Sequence, residues 1–314
     1  MYRESTDPVL IGVLFNRFLM FNLMLLFSCQ LLADLEGDLV SYDRCLKMLE
    51  IPQENDQRRQ IPELMNWPTE GIIEFENYSL KYRPETEVVL KNLNFTINSR
   101  EKIGIVGRTG AGKSTICLAL CRIIEAFEGK ISIDGVDISK FGLADLRECI
   151  TIIPQEPTLF EGTLRFNLDP VGTISDLELL KMAQKASLED LINRGDKGLD
   201  QVIDDGGKNL SSGEKQLICI LRAILRKNKI VLMDEATANI DIKTEQIIQK
   251  LILEEFADST VLTIAHRLNT VINSDRVLVL NKGEVEEFDD PQKLLEDQDS
   301  MFYSYANELK KHEK

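Results

Sequence analysis

The chain opens on a block of apolar residues with almost no alternation. Residues 9–33 (VLIGVLFNRFLMFNLMLLFSCQLLA) are apolar nearly all round a helix, which fits neither a half-buried strand nor an amphipathic surface helix. As a helix these 25 residues span about 37 Å, enough for a hydrocarbon layer. Asn16, Arg17, Asn22, Ser28 and Gln30 interrupt the block, and its longest charge-free run, Phe18–Ala33, has 16 residues. A helix packed inside a membrane bundle tolerates such residues, because they can face protein or a water-filled path. A secretory leader is the alternative, but Met-Tyr-Arg-Glu-Ser-Thr-Asp lacks a net positive start. A soluble core helix is another, yet the block has no polar face. The pattern predicts one transmembrane helix at about 9–33, within residues 1–50 as the C-terminal part of a membrane domain. One span forms no pathway, so the rest of such a bundle is expected outside this chain.

A charged helical continuation (Glu36 to Glu50) follows, then Pro52, Pro62 and Pro68 among polar residues, which reads as a linker over 51–70. From Gly71 to 314 the pattern is that of one globular domain. Its early part alternates as strands at Ile72–Phe75, Val88–Leu90 and Leu93–Ile97. Later, short apolar runs such as Lys102–Val106, Lys229–Met233 and Val261–Ile264 alternate with helical patterns, which predicts an α/β fold with a parallel sheet.

Composition narrows the choice. With 43% apolar and 28% charged residues in 314, the chain buries a sizeable core and is not a disordered or low-complexity sequence. A net charge of −15 argues against binding nucleic acid through phosphate neutralisation. Residues 281–300 hold eight acids (Glu284, Glu286, Glu287, Asp289, Asp290, Glu296, Asp297, Asp299) against Lys282 and Lys293, which reads as a solvated acidic face. Two histidines exclude a multi-histidine metal site. Cys29, Cys45, Cys117, Cys121, Cys149 and Cys219 contain no C-x-x-C pair and are expected as buried structural thiols in a reducing compartment.

Candidate chemistry begins at Gly107-Arg108-Thr109-Gly110-Ala111-Gly112-Lys113-Ser114, which fits G-x-x-x-x-G-K-[ST] and is followed by Thr115. The glycines let backbone amides curl around phosphate oxygens, Lys113 reaches the terminal phosphates, and Ser114 is placed to ligate Mg²⁺. The flanks agree: Lys102–Val106 reads as a buried strand and Ser114–Arg122 as a helix, so an anion would lie at a helix N-terminus. Downstream, Lys229–Met233 ends abruptly in Asp234-Glu235, as a parallel strand does where it meets a ligand crevice. Asp234 is the candidate Mg²⁺ ligand and Glu235 the candidate base for an attacking water, on opposite faces of the strand. Taken alone, the pair also reads as a strand-end turn.

Asn209-Leu210-Ser211-Ser212-Gly213-Glu214-Lys215-Gln216 resembles the ATP-binding-cassette signature, usually LSGGQ, and lies between the phosphate loop and the Asp234-Glu235 strand. Gln155 in Ile153-Pro154-Gln155-Glu156 is similar to the Q-loop, and Ala238-Asn239-Ile240-Asp241 to the D-loop. His266 in Thr263-Ile264-Ala265-His266-Arg267 resembles the switch histidine, and Tyr82 the aromatic that stacks on adenine. Phe166-Asn167-Leu168-Asp169-Pro170 is similar to a stretch of subfamily C, the multidrug-resistance-associated proteins. Singly, Tyr82 also reads as a sheet-surface aromatic, His266 as a hydrogen-bonded structural residue and Gln155 as a loop residue. Order and spacing together carry the resemblance.

The resemblance implies a P-loop NTPase cassette with a parallel sheet core, an antiparallel β subdomain and a helical subdomain, preceded by one transmembrane helix. It further implies the second nucleotide-binding domain of an exporter, using ATP and Mg²⁺, with Ser114, Gln155 and Asp234 on the metal and Gln155, Glu235 and His266 in hydrolysis. Expected partners are a second cassette, in the same or a separate chain, transmembrane domains and a small-molecule cargo of organic-anion or conjugate type. The location implied is a membrane, with the cassette in the cytoplasm. A nucleotide-sensing domain of a channel or channel-associated receptor, a soluble non-transport cassette, and a truncated non-transporting fragment stay open. One departure stands out: Ser212 and Glu214 replace a glycine and the glutamine of the signature. Ser211 with Glu214 three residues on predicts a capping box. The added carboxylate is expected to weaken ATP capture at the partner's site, where Ser211, Ser212, Gly213 and Glu214 would face the γ-phosphate.

Overall fold

Asp7 accepts the Val9 amide at 3.0 Å and Pro8 takes the first helical position, so the chain enters α1 (Pro8–Leu49) through a well-formed cap. The computed structural model describes residues 7–51, 53–54, 67–194, 197–234, 241–265 and 271–312. With 42 residues, α1 is about 63 Å long, and none of its residues is buried within the chain. It is long and apolar enough to cross a membrane. The polar residues inside it satisfy themselves along the helix: Asn22 Nδ2 donates to Phe18 O at 2.9 Å and Ser28 Oγ to Met24 O at 2.8 Å. Such local bonds suit a medium without water. Residues 1–54 form one unit and residues 55–314 a second.

In the second unit, β1 (Ile73–Leu80), β2 (Leu90–Ile97), β4 (Glu128–Ile133) and β5 (Val136–Asp137) form an antiparallel sheet in the order β2-β1-β4-β5. A larger sheet holds β3 (Lys102–Gly107), β6 (Ile150–Ile153), β9 (Ile230–Asp234), β10 (Thr260–Ile264), β11 (Arg276–Asn281) and β12 (Glu284–Asp289), in the order β12-β11-β3-β10-β9-β6. All its pairings are parallel except β11 with β12. A short ladder joins β7 (Gly162–Thr163) to β8 (Val202–Ile203). The helices of this unit are α2 (Lys113–Leu120), α3 (Leu143–Cys149), α4 (Leu164–Leu168), α5 (Asp176–Lys185), α6 (Glu189–Ile192), α7 (Ser212–Leu225), α8 (Ile242–Glu255), α9 (Pro291–Glu296) and α10 (Met301–His312).

The alternation of side chains divides the core between the two faces of the large sheet. Ile230 and Leu232 of β9 pack with the antiparallel sheet and α2, in a cluster that includes Phe75, Leu93, Ile116 and Leu120. Val231 and Met233, one residue out of step, pack with Met182 of α5, Ile218 and Leu221 of α7 and Ile248 of α8. Burial on both faces is what makes β9 a continuous apolar run. A third cluster places Val106 of β3 and Val277 and Val279 of β11 against Phe302 and Ala306 of α10. At the amino end of β3, the Glu101 carboxylate accepts two bonds from the Arg276 guanidinium, which also stacks over Phe288 at 3.9 Å.

Several expectations change. Val88 and Val89 lie outside β2, and residues 90–97 form one strand, because Asn92 takes a positive φ of 47° and lets the chain kink without ending. Cys29 and Cys45 are exposed on α1 rather than buried, whereas Cys121 and Cys219 are buried. The acidic stretch is not wholly a solvated face: Asp290 caps α9 through the Gln292 amide at 2.7 Å, and Glu287 accepts the Met301 and Phe302 amides at 2.6 and 3.0 Å.

Candidate nucleotide-binding site

The carboxyl ends of four neighbouring parallel strands bring the candidate residues to one edge. Register places Ile264 of β10 beside both Ile105 of β3 and Asp234 of β9, and Met233 beside Ile153 of β6. The phosphate loop leaves β3, Asp234 ends β9, and Gln155 follows β6 by two residues on the same edge. Glu235 and His266, together with Ala238, Asn239 and Ile240, lie outside the described residues. Asp241, the last residue of the D-loop resemblance, caps α8 by accepting the Thr244 amide at 3.0 Å.

Glycine is required where the loop turns. A Cβ on Gly107 would lie 2.4 Å from the Leu280 carbonyl oxygen, and Gly112 has φ 103° with Leu90 Cδ2 only 2.7 Å from a Cβ. The loop is tied to the β11–β12 hairpin by Gly283 N donating to Ala111 O at 3.1 Å. Lys113 is 7% exposed and folds back into the loop, where Nζ donates to Gly107 O at 2.7 Å and Arg108 O at 3.2 Å. Thr115 is buried, its hydroxyl 3.0 Å from Tyr82 Oη; Tyr82 is half exposed. Ser114 is exposed. The Arg108 amide donates to the Tyr305 hydroxyl of α10 at 2.9 Å.

Helix α2 tests whether the loop fits an anion. Gly112 at its N-cap offers no side chain to the first amides, and the first turn carries no acid. By contrast α4, α5, α7, α8 and α9 are capped by Thr163, Ser175, Ser211, Asp241 and Asp290. Amides without a side-chain cap, the positive end of a helix and one ammonium converge here, which suits a phosphate. Among the described residues no cluster of three His, Cys, Asp or Glu could hold a metal by itself. Ser114, Gln155 and Asp234 supply oxygen donors, which suits Mg²⁺, an ion that keeps water and phosphate oxygens as ligands. The thiols beside the loop take no part: burial pushes the Cys117 thiol well up and the Cys121 thiol to about 11, so neither ionises near neutral pH.

The altered signature forms the expected capping box. Ser211 Oγ accepts the Glu214 amide at 3.2 Å, and Glu214 Oε2 accepts from the Ser211 amide at 2.7 Å and from its hydroxyl at 2.9 Å. Arg194, which no sequence pattern singles out, adds an ion pair to Glu214 at 2.7 Å. Burial pushes the Glu214 carboxyl up, but the Ser211 amide and hydroxyl and Arg194 more than offset this and hold it below the usual carboxylate range. Gly213 packs tightly on α8, with Thr244 Cγ2 3.0 Å from where a Cβ would stand.

A glycine loop between a buried parallel strand and an uncapped helix, with a lysine ammonium folded into it, defines a P-loop nucleotide-binding cassette. Residues 90–238 match the model of the ABC transporter family. The chain is 47% identical over 309 residues to the vacuolar heme ABC transmembrane exporter abc3 of Schizosaccharomyces pombe, covering 98% of this chain and 21% of that protein. Against ATP-binding cassette sub-family C member 3 of Homo sapiens the identity is 43%, over 98% of this chain and 20% of that protein. The chain thus spans about a fifth of the length of these relatives. The solved structure of a bacterial Atm1-family ABC exporter with ATP bound superposes with a TM-score of 0.76 at 30% identity, over 87% of this chain and 47% of that one. Residues 90–238 thus form a domain of the ABC transporter family, and over 98% of its length the chain is similar to members that include one of subfamily C.

Proposed function

We propose that the chain is the ATP-binding and ATP-hydrolysing cassette of a membrane exporter, the second of two, preceded through α1 by the end of its transmembrane domain. The observation that carries this reading is the α2 N-terminus: helix amides with no side-chain cap, the Lys113 ammonium folded into the loop, and a first helical turn that holds no carboxylate. Tyr82 stacks on the base, residues 107–115 surround the phosphates, with the Arg108 amide kept on the Tyr305 hydroxyl, and Lys113 neutralises the terminal charge. Ser114, Gln155 and Asp234 hold Mg²⁺, which supplies charge withdrawal from the phosphate oxygens when bound. Glu235 accepts the proton of the attacking water, and His266 orients the γ-phosphate.

Phosphoryl transfer needs positioned donors around developing charge, and a second cassette supplies the missing ones through its own signature. ATP then joins the two cassettes and hydrolysis parts them, which moves the membrane helices. The cargo class is organic anions or conjugates; one relative is named for exporting heme, itself a dicarboxylate. The test is the ATPase activity of the purified full chain. Turnover per molecule is expected to be slow and to rise with protein concentration; a constant, fast turnover across a hundredfold dilution would overturn the reading.

The signature bears on the partner's ATP. An ionised Glu214 accepts but cannot donate, so the Ser211 hydroxyl spends its hydrogen on Oε2 rather than on a γ-phosphate. Arg194 offsets much of the charge, but not that commitment. In Glu214→Gln the amide oxygen keeps the capping box, but a neutral acceptor holds the serine hydrogen less strongly than a carboxylate does. Affinity for ATP at the partner's site is expected to rise about three- to tenfold, with this chain's own site unchanged. Measurement of both sites in the paired complex checks it, and an unchanged partner site rules it out.

A further inference from the structure

The C-terminal helix reaches back to the phosphate loop. Its inner face is fixed by burial: Phe302 and Ala306 are 0% and 1% exposed and pack on Val106, the residue before Gly107. Its N-terminus is fixed by Glu287 of β12, which accepts the Ser300 hydroxyl at 2.9 Å and the Met301 and Phe302 amides. A carboxylate at that end also complements the helix dipole. Held this way, α10 presents the Tyr305 hydroxyl to the Arg108 amide at 2.9 Å, and places Glu308 4.0 Å from the Arg108 guanidinium. Both charged groups of that outer pair are exposed, so the hydroxyl is the contact that matters.

We propose that Tyr305 is a positioning residue that pre-orders the phosphate loop for nucleotide. The inference rests on reading that loop as the nucleotide site. Residues 108–110 are the exposed part of the loop, with glycine on either side of Arg108-Thr109, and glycine-rich backbone loses the most freedom on ordering. The Gly283 amide holds the far end of this stretch at Ala111 O; the Tyr305 hydroxyl holds its near end at the Arg108 amide. With both ends fixed, less of the ordering entropy is left to be lost when phosphate enters. Tyr305 does not touch the reacting atoms. It acts through the backbone of Arg108.

Tyr305→Phe in the full chain keeps the ring and removes the hydroxyl. Without nucleotide, hydrogen–deuterium exchange at the Arg108 amide is expected to accelerate about three- to tenfold while the α10 amides keep their protection. The affinity for Mg²⁺-ATP falls by a similar factor, so KM rises and kcat stays unchanged. Glu308→Gln shifts both by less than about twofold. Wild-type exchange at Arg108 in Tyr305→Phe overturns the inference, as does accelerated exchange spread evenly over α10. Unchanged Mg²⁺-ATP affinity beside faster exchange also overturns it, since the ordering would then be idle. Failure of the unsubstituted chain to bind Mg²⁺-ATP removes the proposed function instead.

Discussion

Lys113→Met is expected to weaken Mg²⁺-ATP binding by two to three powers of ten while leaving the cassette folded. The Nζ group lies inside the phosphate loop, bonded to the carbonyls of Gly107 and Arg108, and the side chain is 7% exposed. An ammonium held there meets phosphate oxygens with little intervening water, where each charge-assisted hydrogen bond is worth about 1.5–3 kcal/mol. Two such bonds sum to about 3–6 kcal/mol; the Gly107 and Arg108 carbonyl bonds that Nζ gives up bring the net loss to the lower end, about 3–4 kcal/mol, and 1.4 kcal/mol is a factor of ten. Methionine keeps the bulk of the stem among the buried residues of α2, so the thermal midpoint should move little. Calorimetric titration of the full chain with Mg²⁺-ATP reads the affinity, and a scan of unfolding reads the fold. Equal affinities in a folded variant would mean that the loop is not the nucleotide site.

Glu235→Gln is expected to separate binding from chemistry. Glu235 directly follows Asp234 in the sequence, and Asp234 ends β9 at the carboxyl edge from which the phosphate loop also leaves β3. A general base positioned on an attacking water contributes about a hundred- to ten-thousandfold in rate. Glutamine keeps the length of the side chain but takes no proton, so the assembled complex should bind ATP normally and turn it over about a thousandfold more slowly. The same variant should prolong the ATP-joined state of the two cassettes. Steady-state turnover and the lifetime of the joined state are the two measurements, and wild-type turnover would remove Glu235 from the chemistry.

Local chemistry was readable from the residues themselves. The phosphate loop announces itself because its glycines, lysine and flanking strand and helix sit within one short stretch. The capping box at Ser211 and Glu214 is equally local, since both partners lie within one helical turn. Pairings across the fold were not readable. Arg194 reaches Glu214 from 20 positions away, and Tyr305 reaches Arg108 from 197. The three-residue spacing of Phe302 and Tyr305 speaks for helix packing, but nothing in it says where a hydroxyl points. Glu287 looked like one acid among many because charge counts do not reveal that two amides of α10 stand in front of it. Cys29 and Cys45 depart from expectation for a related reason: the rule that thiols go inside holds for a soluble core, and α1 has none to offer.

The length of α1 carries a mechanical consequence. Its apolar part ends near residue 33, and the helix runs unbroken for a further 16 residues to Leu49, an overhang of about 24 Å. With α1 crossing a membrane as proposed, such an overhang would act as a stiff lever: tilting it by ten degrees about the membrane surface would sweep its far end through about 4 Å. Reorientation in the lipid would thereby be converted into a displacement as large as a side chain.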